Sequence, residues 1–206
     1  MPSKPPTQPK PTVVRIEQRL SSFPSSVAPL TAVCRRYLKH CSAQDDWPEA
    51  HTLIGHTPWQ GSTSYAIDLF PGAKKNWFSM HSKIYGVNIP TELRPLLSSV
   101  NGFSVFGVTL FGMLMMRLDH PVNIATANRQ WKQEYRREQL GFHFGARSYS
   151  PMETLGYFLG ADGGVSSCLK SGERIAGWPT ITAFLQAELA ASERNYRDGI
   201  PANWWH

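Results

Sequence analysis

Cysteine is scarce. The 206-residue chain has three, Cys34, Cys41 and Cys168, and no Cys-x-x-Cys pair, which removes the zinc ribbon and the dithiol redox centre. Cys34 and Cys41 fall seven residues apart on a stretch with helical periodicity, hence ~10 Å apart and too far to bridge. All three are expected to be reduced and packed. No apolar run approaches the ~20 residues that a membrane-spanning helix needs. The opening residues, Met-Pro-Ser-Lys-Pro-Pro-Thr-Gln-Pro-Lys-Pro, contain no hydrophobic core of a secretory signal, so a cytoplasmic protein is expected. Catalytic signatures are missing too: no Gly-x-Ser-x-Gly, no Walker loop, no His-Glu-x-x-His and no dinucleotide fingerprint followed by an acidic residue. His40, His51 and His56 with Asp45 and Asp46 match no tight ligand spacing, so no metal is expected. There are no internal repeats.

What is present suits one folded domain with extensions. Charged residues make up 17% and hydrophobic ones 41%, a balance that argues against wholesale disorder. The net charge of +6 is unevenly placed. Residues 1–40 carry Lys4, Lys10, Arg15, Arg19, Arg35, Arg36 and Lys39 against Glu17 alone, and from Cys41 onward fourteen basic residues meet fourteen acidic ones. The basicity therefore belongs to the N-terminal arm. A nucleic-acid-binding domain concentrates positive charge on its folded surface, so no direct nucleic-acid contact is expected.

Residues 1–28 read as a flexible, proline-rich basic tail, with Val13, Ile16 and Leu20 marking a short helical segment. Leu30, Val33, Cys34, Tyr37, Leu38 and Cys41 predict a helix over 29–42. Its Arg35, Arg36 and Lys39 form a polar face that suits either solvent or an acidic partner. Tyr65–Leu69 alternates as a strand does. Residues 29–72 thus form a helix-and-strand extension, 73–195 the main domain and 196–206 a C-terminal tail ending in Trp204-Trp205-His206. Within the domain, Asn76–Tyr85 reads as a helix with Trp77, Met80, His81, Ile84 and Tyr85 on one side. Met113–Leu118 is a Met-rich core filler. Asn123–Gln139 is a polar helix with a narrow seam of Ile124, Ala127, Trp131 and Tyr135, suited to a sheet edge or core rim. Strands follow at 142–145, 155–159 and 165–170, with Asp162-Gly163-Gly164 as a tight connection. Pro179 is expected to open a closing helix that points Ile181, Phe184, Leu185 and Leu189 inward.

The organising stretch is Ile89–Gly112. Leu93, Leu96, Leu97 and Val100 line one side of a short helix that starts or bends at Pro95. Asn101-Gly102 is expected to stop it, because both residues accept the left-handed conformation. Phe103, Val105, Val108 and Leu110 then fall at strand spacing, interrupted by Gly107. This proline-led, Leu-rich helix ending in Asn-Gly, followed by a strand closing on Leu-Phe-Gly, resembles the signature of the SUKH superfamily. The resemblance extends from about Asn76 to Leu189, through Tyr157–Leu169 and Gly177–Leu185; the first seventy residues lie outside it.

The expected fold class is α+β: a mainly antiparallel sheet flanked by helices on one side, with an N-terminal helical extension. The SUKH resemblance implies a binding protein without a cofactor. Bacterial members neutralise polymorphic toxins exchanged between competing cells by binding the toxin domain and blocking its active site. Yeast-type members act instead as interaction hubs in cell-wall signalling, which is the alternative within the same class. A neutral domain with a basic arm departs from the acidic character expected of nuclease inhibitors, leaving other toxin activities open. An enzyme with an unrecognised site is the third reading. Its best base is His143, which on a strand points away from Phe142 and Phe144, either into a cleft or, more commonly, into solvent. For partner binding, the long and aromatic side chains near the C-terminal strands are favoured: Arg147, Tyr149, Lys170 and Arg174.

Overall fold

A computed structural model describes residues 11–38, 41–43, 52–57, 64–113, 123–135, 140–150 and 152–199. The six α-helices among them are α1 (Pro11–Ser21), α2 (Ala28–Tyr37), α3 (Lys75–Tyr85), α4 (Arg94–Ser99), α5 (Ile124–Glu134) and α6 (Ile181–Arg197). Nine strands, β1 (Cys41–Ala43), β2 (Thr52–His56), β3 (Tyr65–Leu69), β4 (Phe103–Val105), β5 (Val108–Leu110), β6 (Phe142–Ser150), β7 (Glu153–Leu159), β8 (Val165–Cys168) and β9 (Arg174–Trp178), form one sheet in sequential order. Each is antiparallel to the next. The fold is α+β. None of the described helices is long and apolar enough to cross a membrane.

The register explains the core. Leu69, Phe103, Leu110, Gly145, Tyr157 and Ser167 lie side by side across six strands, so their side chains share a face. Against it pack Ile16 and Leu20 of α1, Leu30 and Val33 of α2, Leu96 and Leu97 of α4, and Phe184, Leu185 and Leu189 of α6, all buried in one cluster. Helices are not confined to this face. His143 and Phe158 project from the other one, where Trp131 of α5 and Tyr135, which caps its C-terminus, cover them. Gly156 permits that close approach, since a Cβ there would stand 2.8 Å from the Tyr135 ring.

Several expectations are corrected. The segment read as tail up to residue 28 is folded from Pro11: Ile16, Leu20 and Val27 are core residues, and Arg19 donates to the Phe70 carbonyl at 2.6 Å. The helix predicted over 29–42 ends at Tyr37, and Cys41 begins a strand. Pro95 falls in the first turn of α4, as its missing N–H requires. The residues after α4 behave differently from the expected stop. Val100 ends the helix in an extended conformation, and only Gly102 is left-handed, at φ +95°. Phe103–Leu110 is a hairpin turning at Phe106-Gly107, both at positive φ, the geometry of a two-residue primed turn. The closing helix is capped by the Thr180 hydroxyl, which accepts from the Ala183 N–H at 3.1 Å, so Pro179 precedes it. On α3 the core side is Trp77, Phe78, His81 and Tyr85; Met80 and Ile84 stay exposed. Of the Met-rich run, Met113 is buried and 114–118 lie outside the described residues, as do Trp204 and Trp205.

Candidate partner-binding surface

The β6–β7 and β8–β9 turns stand at the same end of the sheet, because Arg147 pairs with Leu155 while Gly156 pairs with Cys168 and Cys168 with Arg174. Antiparallel order brings alternate turns to one edge, and this collects Arg147, Tyr149, Lys170 and Arg174 at one end of the molecule. The β8–β9 turn is tight: the Leu169 N–H donates to the Glu173 carbonyl at 2.9 Å, and the Gly172 N–H to the Leu169 carbonyl at 2.8 Å. Lys170 projects from it, exposed. Arg174 is exposed too, its guanidinium lying back over Gly177. Met152, at the tip of the β6–β7 turn, is 93% exposed.

Arg147 is not the free surface cation expected of a contact residue. Its side chain is 11% exposed, and its Nε donates to Glu188 Oε2 of α6 at 3.1 Å. The same carboxylate oxygen accepts from the Tyr157 hydroxyl at 2.6 Å. Burial, reinforced by the Glu188 charge, pushes the Tyr157 hydroxyl well above the usual tyrosine range, so it stays a donor. Arg147 Cζ lies 5.9 Å from the ring centroid of Tyr149, which itself packs on the main core. The arginine thus binds a strand to a helix. Lys170, Arg174, Tyr149 and Met152 remain as side chains that reach the surface at this end.

His143, expected at a cleft or in solvent, is in neither place. Its ring is 4% exposed, stacked on Phe158 with centroids 4.6 Å apart and edge-on to Phe111 and Tyr135. Neither ring nitrogen has a hydrogen-bond partner among the described residues. Burial lowers its pKa to about 4. A neutral, enclosed imidazole with no approach for substrate is a core group.

Among the described residues of the basic arm, two arginines of α2 are engaged in ion pairs. Arg35 pairs with Glu17 at 2.6 Å, and Arg36 with Glu193, which Arg197 also holds. These arginines tie α1 to α2 and α2 to α6; Lys39, the third cation of that face, lies outside the described residues. Of the histidine and aspartate set considered for a metal, only His56 lies in the described residues, beside Tyr65 at 5.2 Å. No group of three metal-binding side chains occurs among the described residues.

Sequence reading missed the side-chain amides that lock the fold. Asn101 donates from Nδ2 to the Met113 carbonyl at 2.8 Å and accepts the Met113 N–H on Oδ1 at 2.7 Å. Asn128 does the same for His143, at 2.7 and 2.9 Å, fixing α5 to β6. A paired amide mimics one rung of a β-ladder, and only the position of Asn101 directly after a helix hinted at a special role. No family model, curated protein or solved structure matches the chain.

Proposed function

We propose that this chain is a non-enzymatic immunity protein of the SUKH type, which binds a cognate toxin domain and blocks its active site in the cytoplasm. The observation that supports this reading is where its SUKH-like stretch is used. Leu93, Leu96, Leu97, Val100, Phe103, Val105 and Leu110 are all core residues, and Asn101 fastens the chain after α4 to the chain after β5. The resembling residues thus build a scaffold rather than a reaction centre. Strands β6 and β9 and the neighbouring turns then carry Tyr149, Met152, Lys170 and Arg174 at one end, a mixture of aromatic, apolar and cationic side chains suited to protein recognition. No cofactor, membrane or nucleic acid enters the reading.

The test is protection in a bacterium expressing the C-terminal domain of the neighbouring gene's product. The expected outcome is rescue on co-expression and recovery of a stable complex. If that domain is toxic and neither rescue nor complex is obtained, the immunity reading is wrong. Rescue that persists in K170E/R174E would retain the reading and move the interface elsewhere.

A further inference from the structure

Helix α3 presents three parallel rows of side chains, because residues four apart lie one above another. The row Trp77, His81, Tyr85 turns inward: His81 is fully buried beside Tyr85, and Trp77 packs on the core. The next row, Asn76, Met80, Ile84, faces outward, with Met80 40% and Ile84 58% exposed. Beyond it runs Lys75, Ser79, Lys83, also exposed. Met80 and Ile84 therefore make a narrow apolar strip one turn apart, bordered along its solvent side by lysines. From Leu69 to Thr91 the chain contains Lys74, Lys75 and Lys83 and no acidic residue. Among the described residues no ion pair engages any of the three.

We infer that this face of α3 is a docking strip for an acidic amphipathic helix of another protein. Two exposed apolar side chains one turn apart match the spacing at which one helix seats against another. Lysines along one border then call for carboxylates along the matching border of the partner, which fixes both its charge and its orientation. An anionic membrane is the poorer match. Interfacial binding requires a broad apolar face sunk into the headgroups, and here Phe78 and His81 are turned to the protein interior, leaving a strip one side chain wide. The inference is independent of the toxin reading, since it rests only on α3.

The probe is a synthetic 18-residue helical peptide with leucines at i, i+3 and i+7 and glutamates on the flanking positions, titrated against the full chain and followed by anisotropy of a label on the peptide. Saturable binding is expected, weakened about tenfold in K75E/K83E and about tenfold in M80S/I84S. Raising the salt to 0.5 M should weaken it severalfold, as exposed charge pairs require. Both pairs of altered side chains are on the surface, so the variants should melt with the parent; circular dichroism checks this, and K83Q provides a milder variant if one does not. No binding, or binding unchanged in both double variants, overturns the inference. Equal binding of a peptide with lysines in place of the glutamates also overturns it, as does tighter α3-dependent binding to phosphatidylserine vesicles.

Discussion

Phe106 and Tyr196 stack with ring centroids 4.7 Å apart, joining the β4–β5 turn to the last helix across ninety residues of chain. Tyr37 closes on Phe106 edge-on at 5.2 Å, so α2 enters the same contact. The contact holds Phe106 at φ +48°, a conformation uncommon for a bulky side chain. Aromatic packing on both sides overrides the local preference.

This gives an inverted order of severity at residue 106. Phe106→Ala removes the ring and keeps the unfavourable φ, and should lower the free energy of unfolding by about 3 kcal/mol. Phe106→Gly loses the same ring but relaxes the backbone, so it should be the more stable of the two by about 1 kcal/mol. Urea titration of both variants decides it; a glycine variant less stable than the alanine one would remove backbone strain from the account.

Asn101 and Gly102 should fail for different reasons. Asn101→Ala leaves both Met113 backbone groups unpaired in the core and should cost about 3 kcal/mol. Asn101→Asp keeps the acceptor and loses the donor, so it should remain destabilised. Gly102→Ala takes on the penalty of φ +95°, about 1–2 kcal/mol. Equal melting temperatures for Asn101→Ala and the parent would show that the amide pairing is dispensable.

The Arg147–Glu188 pair should behave as a coupled unit. Glu188→Leu removes the counter-charge of a largely buried guanidinium and the acceptor of the Tyr157 hydroxyl, a loss of about 3 kcal/mol. Adding Arg147→Met removes the charge left without its carboxylate and should recover part of that loss. A double-mutant cycle measures the coupling; strictly additive effects would mean that the two groups do not sense each other.

Acid should find His143. Its folded-state pKa, about 4, lies below the ordinary 6.5, so the unfolded chain takes up the proton first. The stabilisation is therefore fully present above pH 6.5 and is lost as pH falls from there to about 4, by roughly 3 kcal/mol over that span. His81, also lowered by burial, contributes in the same direction. The measurement is the difference between the parent and His143→Phe across pH 7 to 4. The variant should show the shallower decline, and parallel curves would refute the assignment.

Periodicity made some elements legible and hid others. Tyr65–Leu69 is a strand with the boundaries its alternation suggests, and the seam of Ile124, Ala127, Trp131 and Tyr135 is the buried side of α5. Edge strand β9 escaped because Arg174–Trp178 is exposed at most positions, so no apolar alternation marks it. β2 was lost among turn residues, although Ile54 is in the core. Alternation placed His143 opposite the neighbouring phenylalanines but said nothing of what covers that face. The bond from Arg147 to Glu188 spans forty-one positions, a distance over which local pattern carries no information.

The serial order of the sheet has a consequence for synthesis on the ribosome. Each strand finds its partner in the strand just made, so pairing can proceed as the chain emerges, with little need for distant segments. The face bearing Phe144 and Tyr157 is different, because its cover includes Phe184, and Arg36 and Tyr37 must await Glu193 and Tyr196. A nascent chain halted before Ile181 would carry a paired sheet with an open greasy slot, a natural substrate for a chaperone. Release of α6 would then be the step that closes that slot over Phe144 and Tyr157.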